Sequence, residues 1–316
     1  MRLLRAELRK LNRPLLWGVT FAAALFTVLL AVGGTDNARH DVLTSVRRIP
    51  SCGALGMQPG AACTDARAKV GIENTEDYVQ SLANEVHVAA QLDPVAAGAE
   101  AAGLMASLPG ALALALLAGG HIGGEWSGRT LKNVLTQVGH RWRVLAAKLV
   151  SLWLAGVWLI AACWAALAVA GPVLTRTQHL ANPHQSLAGA ASWAGSQAAR
   201  SLLVLAAFAA VGVLAAVLTR GTIGTMATAA GLFVAMLVAA SLPGVGRWSP
   251  ATWVQGWMGF AVGQRSITTL PTNFWSRFIN ADQTPPGHLL GLTGLAATLL
   301  VCMAVAVTLF RRADVA

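Results

Sequence analysis

Six stretches of the chain run for roughly 20 residues without Asp, Glu, Lys or Arg: 15–34, 101–124, 149–175, 201–219, 222–242 and 288–310. A helix rises 1.5 Å per residue, so each run is long enough to cross about 30 Å of hydrocarbon. Only helices and closed barrels satisfy their own backbone in lipid, and continuous apolar runs without alternation mean helices. The pattern predicts an all-α polytopic membrane protein with six transmembrane helices in one transmembrane domain, 1–316. The first run exceeds the roughly 7–15 residues of a signal-peptide core, and no small-residue cleavage site follows at once, so it reads as an uncleaved span.

The connections carry their own patterns. In residues 1–14, Leu4, Leu8 and Leu11 recur at helical spacing opposite a stripe of Arg2, Arg5, Arg9 and Arg13, which predicts an interfacial elbow helix. Pro14 then starts a new direction. Residues 35–100 are too long for a plain linker. They predict a small extracytoplasmic helical insertion, with Asn74 as helix cap, Val79, Leu82, Val86 and Ala89/Ala90 as its apolar face, and Pro94 as its stop. Pro109 should kink the second span, and Gly119/Gly123 and Gly120/Gly124 allow close helix approach. In 243–287, Ser249-Pro250 is an N-cap followed by proline at the first helical position. Trp253, Trp257 and Phe260 follow at helical spacing, so 250–262 reads as an interfacial or re-entrant helix with the tryptophans as anchors.

Composition removes the soluble alternative. Hydrophobic residues make up 55% of the chain and charged residues 11%, with mean hydropathy +0.59, against roughly 25% charged in a soluble domain. Placing the N-terminus in the cytoplasm puts 1–14, 125–148, Arg220, Arg311 and Arg312 on one side. That side carries 13 of the 23 Lys and Arg residues in less than half the length of the other connections, which the positive-inside rule favours, and the whole net charge of +10 falls there. Only Glu7, Glu125 and Asp314 are acidic on that side. Such a face suits anionic headgroups or an acidic protein surface, and no nucleic-acid partner is expected. Arginine outnumbers lysine 19 to 4, a bias typical of GC-rich bacterial genomes, so a bacterial inner membrane with both termini cytoplasmic is the expected location. Cys52 and Cys63 lie in the first external connection and are the disulfide candidates. Cys163 and Cys302 lie in spans and read as packing residues.

Chemistry-bearing motifs are few. None of the four lysines follows a glycine, so there is no phosphate-binding loop. H-E-x-x-H, G-x-S-x-G and C-x-x-C are also missing. No catalytic, cofactor or metal residue is assigned, and the chain is read as a non-enzyme. His121, near the end of the second span, reads as a structural hydrogen-bonding group.

The connection 125–148 carries the clearest motif. Glu125, Arg129-Thr130-Leu131-Lys132, Leu135, Arg141, Arg143, Leu145 and Lys148-Leu149 form a string that resembles the coupling region of ABC-2-type transporter permeases. The family's Gly-Thr step is interrupted here, with Arg129 between Gly128 and Thr130. The elbow helix, the external re-entrant helix and six spans with both termini inside resemble that family as well. The resemblance implies a permease subunit, mostly of exporters, which pairs with a second permease subunit as homo- or heterodimer. It implies a cytoplasmic ATPase partner that holds the ATP and Mg and touches a short coupling helix at Glu125, Gly128, Arg129, Thr130, Leu131, Lys132, Leu135, Arg141 and Arg143. The other readings of the residues are a membrane-integral enzyme or sensor without transport, and a secondary carrier.

Overall fold

The structure is a computed structural model, and it describes residues 2–12, 14–45, 60–131, 141–180, 186–240, 242, 244–259 and 287–312. Among these residues the protein is all-helical. Five helices are long and apolar enough to cross a membrane, and the count reaches six if one bent pair is taken as a single span. This is the architecture of a multi-pass membrane protein.

Helix α1 (Arg2–Leu11) is followed by α2, which runs from Pro14 to Ser45. The apolar run 15–34 is only the first part of α2. Nothing in TDNARHDVLTS stops a helix, so it continues well past the last apolar turn. Helix α3 (Ala61–Gln91) begins after Gly60, not at Asn74 as the capping pattern suggested. Asn74 lies inside it, because the alanines, Arg67 and Lys69 before it are good helix formers. The expected apolar face is buried only at its end: Ala89 and Ala90 are buried, while Val79 and Leu82 are exposed. That end packs with Ala31 and Ala38 of α2 and with Leu167 and Leu180. Cys63 is disulfide-bonded; its expected partner Cys52 lies outside the described residues. Cys163 and Cys302 are free, the former buried in the core.

The second apolar run is broken. Helix α4 (Ala97–Met105) and α5 (Leu108–Ala118) meet at a bend of 59°. The break falls at Ala106-Ser107, and Pro109 occupies the first turn of α5, where its missing N–H costs nothing. A five-residue π-helix (Gly119–Gly123) and the single turn α6 (Gly124–Ser127) continue it.

Helix α7 (Arg141–Thr177) contains the third run, α8 (Leu187–Thr219) the fourth and α9 (Thr222–Ala240) all but the last two residues of the fifth. Helix α8 is the axis of the bundle: 67% of its most apolar stretch is buried, against 33% or less in the other crossing helices. Its buried side includes six alanines and Gly212, small residues that let neighbouring backbones come close. Arg220, in the left-handed region, caps α8 and turns the chain into α9. Gly119 and Gly123 form the close approach read from the sequence. A Cβ at Gly123 would sit 2.7 Å from the Gly221 carbonyl oxygen at the start of α9.

Helix α10 (Pro250–Met258) has the Ser249 cap, its Oγ accepting from the Ala251 N–H at 3.4 Å. It ends four residues earlier than the pattern suggested, because Gly259 takes a left-handed conformation. Phe260 and the 273–275 segment lie outside the described residues. Trp253 and Trp257 are not only interfacial anchors. Trp257 Nε1 donates to the Arg200 carbonyl at 2.9 Å, and Trp253 packs on Gly294 of α11 (His288–Arg312).

Candidate functional site

One face of α1 points into the bundle, and it is not the leucine face alone. Leu11 and Glu7 are buried, Leu3, Leu4 and Lys10 are half-buried, and Leu8 is exposed. The sequence pattern placed Leu8 on the apolar face; the structure puts Glu7 there because cations wait for it. Arg5 and Arg9 are exposed as expected. Arg13 and the Arg2 side chain lie outside the described residues.

Glu7 reaches the start of α7 and the π-helix. Its Oε2 accepts from Lys148 Nζ at 3.1 Å and lies 3.2 Å from His121 Nε2. Its Oε1 accepts from Lys10 Nζ at 3.2 Å. Glu125 of α6 closes the circuit, with Oε2 accepting from Lys148 at 2.7 Å and Oε1 from Lys10 at 2.9 Å. Two carboxylates and two ammonium groups therefore alternate in a closed ring of four ion pairs. The ring is neutral and almost dry: the side chains of Glu7 and Lys148 are 1% exposed. Buried charges persist only when paired and hydrogen-bonded, and here each bridges two opposite partners.

The same cluster contains a serine, a histidine and a carboxylate, but the geometry excludes a nucleophile relay. Ser151 Oγ donates its proton to the Lys148 carbonyl at 2.9 Å. His121 Nε2 lies 3.2 Å from that Oγ and 3.2 Å from Glu7 Oε2, so the serine and the acid face the same ring nitrogen. A base facing serine needs a free lone pair on that nitrogen, with the acid on the other one. His121 is thus a hydrogen-bonding post for Glu7. The carboxylate oxygens are taken up by ammonium groups, and among the described residues no three His, Cys, Asp or Glu side chains gather to hold a metal ion. No protein-family model, curated protein or solved structure matches the chain. The residues and their geometry therefore carry the functional argument.

The ring anchors the connection between the second and third spans. Trp126 stands edge-on to Phe310 of α11, and Arg220 lies over its face at 5.5 Å. Ser127 Oγ meets Thr222 Oγ1 of α9 at 3.1 Å. Leu131 is buried in the main core. What remains outward is a short arch, Ser127, Gly128, Arg129 and Thr130, with Arg143 and Trp142 exposed at the foot of α7. Arg129 holds φ 53°, left-handed for a non-glycine residue. Of the nine partner-contact residues read from the sequence, then, Gly128, Arg129, Thr130 and Arg143 are presented outward, while Glu125 and Leu131 face inward. Lys132 and Leu135 lie outside the described residues, as does the Arg141 side chain.

Sequence reasoning passed over Glu7, Lys10 and Ser151, and read Lys148 as part of the coupling-region string, not as a buried partner of two carboxylates. A signal was present: Glu7 and Glu125 are two of the three acids on a strongly basic side, and each needed a cation close by.

The ring makes the attachment of α1 acid-sensitive. Burial pushes the Glu7 carboxyl up, but the His121 hydrogen bond and the Lys148 charge outweigh it and hold its pKa at about 2, below the usual 4.5. A carboxyl with a depressed folded-state pKa stabilises the fold above its ordinary value and loses that contribution as pH falls. Between about pH 4.5 and 2, thermal stability of the purified protein should fall. In a Glu7→Gln variant that acid-dependent part should be absent, which melting curves across this range will read.

Proposed function

We propose that the chain is the membrane-spanning permease subunit of an ABC-2-type transporter, an exporter in a bacterial cell membrane with both termini cytoplasmic. A separate ATPase subunit, holding ATP and Mg, would grip the arch 127–130 and the foot of α7, and a second permease subunit would complete the pathway. The observation that supports this reading most is the ring. It fuses the amphipathic N-terminal helix, the arch and the third span into one body. A push on the arch would therefore move α1 and α7 together, in the way a motor-driven bundle requires. Exposed Arg5, Arg9, Arg129, Arg143 and Arg220 make the surrounding surface basic, suited to an acidic protein face as well as to headgroups.

The test is to find whether a neighbouring gene encodes an ATP-binding-cassette ATPase and to co-express the two, followed by co-purification and reconstitution. Arg129→Gly is the informative variant. It removes the outward charge yet relieves a left-handed backbone, so the fold should hold or gain up to about 1 kcal/mol. Together with Arg143→Glu it should weaken ATPase binding about tenfold, the order expected for losing a charged interfacial contact. Unchanged binding in the double variant rejects the assignment. Transport that collapses with an uncoupler but ignores vanadate would assign a secondary carrier instead.

A further inference from the structure

At the end of the bundle away from α1, a cavity of about 650 Å³ opens between the end of α3, the turn after it and the last turn of α7. Its floor is apolar, formed by Ala89, Leu92 and Leu180, which are 7% exposed or less. Its rim is charged: Asp93 on one wall, Arg176 and His179 on the other. Asp93 and Arg176 line the same space, yet neither has an ion-pair partner among the described residues, and neither does His179.

The walls are held firmly. Trp164 Nε1 donates to the Pro94 carbonyl at 2.7 Å, and Arg39 donates to the Gln178 carbonyl. Gly171 lies so close to Leu92 that a Cβ there would be 2.3 Å from the Leu92 oxygen. His179 holds φ 51°, a left-handed position where glycine or asparagine is the ordinary choice. The chain thus carries an imidazole at the rim although a smaller residue would be easier to accommodate.

Depth names the ligand. Lys148 and Arg176 lie on the one helix α7, about 42 Å apart along its axis. A bilayer with its headgroups is about 40–45 Å thick. With Lys148 at one headgroup level, the cavity rim stands at the other, with its apolar floor beneath. An arginine fork and an imidazole suit a phosphate, and a free carboxylate oxygen suits an ammonium group.

We propose that this cavity binds the headgroup of an aminophospholipid: a phosphodiester on Arg176 and His179, with its primary ammonium at Asp93. The inference does not depend on the transporter reading.

The experiment is native mass spectrometry of the purified full chain with phosphatidylethanolamine or phosphatidylglycerol added. Wild type should retain phosphatidylethanolamine about tenfold better, and Arg176→Ala should lose about tenfold of that retention, the order of one charged hydrogen bond. Asp93 Oδ1 also caps the Val95 and Ala96 N–H groups, at 2.9 and 3.3 Å. Asp93→Asn keeps that acceptor and removes only the charge, so it should abolish the preference for the amine while the phosphate still binds. His179→Gly relaxes the backbone and should lower retention in a protein at least as stable. Displacement of the lipid by glycerophosphoethanolamine supports headgroup recognition from either source, and resistance to it supports the lipid-borne form. Equal retention of the two lipids by wild type, or unchanged retention in both Arg176→Ala and Asp93→Asn, overturns the proposal.

Discussion

Lys148→Met should destabilise the purified protein by about 3–5 kcal/mol, the range found when one partner of a buried ion pair is removed. Lys148 and Glu7 are the members of the ring with least access to water, and Lys148 serves both carboxylates, Glu125 at 2.7 Å and Glu7 at 3.1 Å. Without it, two carboxylates share the single ammonium of Lys10, which is itself only half-buried. Methionine matches the length of the lysine stem, so little of the loss will come from a cavity. The decisive comparison is the double variant Glu7→Gln/Lys148→Met. It removes one charge of each sign and leaves Lys10 and Glu125 paired, so most of the loss should be recovered. Thermal melts of the wild type, both single variants and the double variant measure this coupling directly. A double variant no more stable than Lys148→Met would mean that the ring's charge balance is not what holds α1.

The ring also links stability to the proposed function. A member substituted singly should loosen α1, detectable as faster proteolysis near the N-terminus, while the remaining spans stay packed around α8. The balanced double variant separates the two consequences: it should restore the fold while weakening the mechanical link between the arch and α1. In a reconstituted transporter, ATPase activity and transport would then come apart.

The crossing helices were legible because lipid imposes a simple rule: each apolar run in 15–34, 149–175, 201–219 and 288–310 lies wholly inside one observed helix. Their true lengths were not legible. Helices α2, α7 and α8 continue beyond the apolar turns through sequence that helix propensity tolerates, and hydropathy does not see that continuation. Local chemistry read well where it was self-contained, as in the Ser249-Pro250 cap. The ring did not, because its bonds join residues 115 and 141 positions apart. Glu7 in isolation looks like one acid amid a basic stripe, and Lys148 like one more cation of the string 125–149. Only the tertiary fold shows that they answer each other.

Gly110→Ala tests the broken helix pair. The expected break near Pro109 is present, a 59° bend just before the first turn of α5, where the proline sits. A second constraint lies one residue later. A Cβ on Gly110 would fall 2.0 Å from the Met105 carbonyl oxygen and 2.6 Å from its Cα, at the end of α4. Those are backbone atoms, so no side-chain rotation can relieve the clash, and α4 must swing away from α5. Helix α4 is buried along nearly its whole length, including Glu100, so the movement would disrupt packing on α7 and α8. The expected loss is about 3 kcal/mol, the upper part of the range for overpacked cores. Pro109→Ala, by contrast, should cost well under 1 kcal/mol, since an alanine at that position keeps helical φ and adds only an N–H at a free helix start. Melting temperatures of the two variants side by side decide the matter. If Pro109→Ala proves the more damaging, the bend is set by the proline and the close approach at Gly110 is incidental.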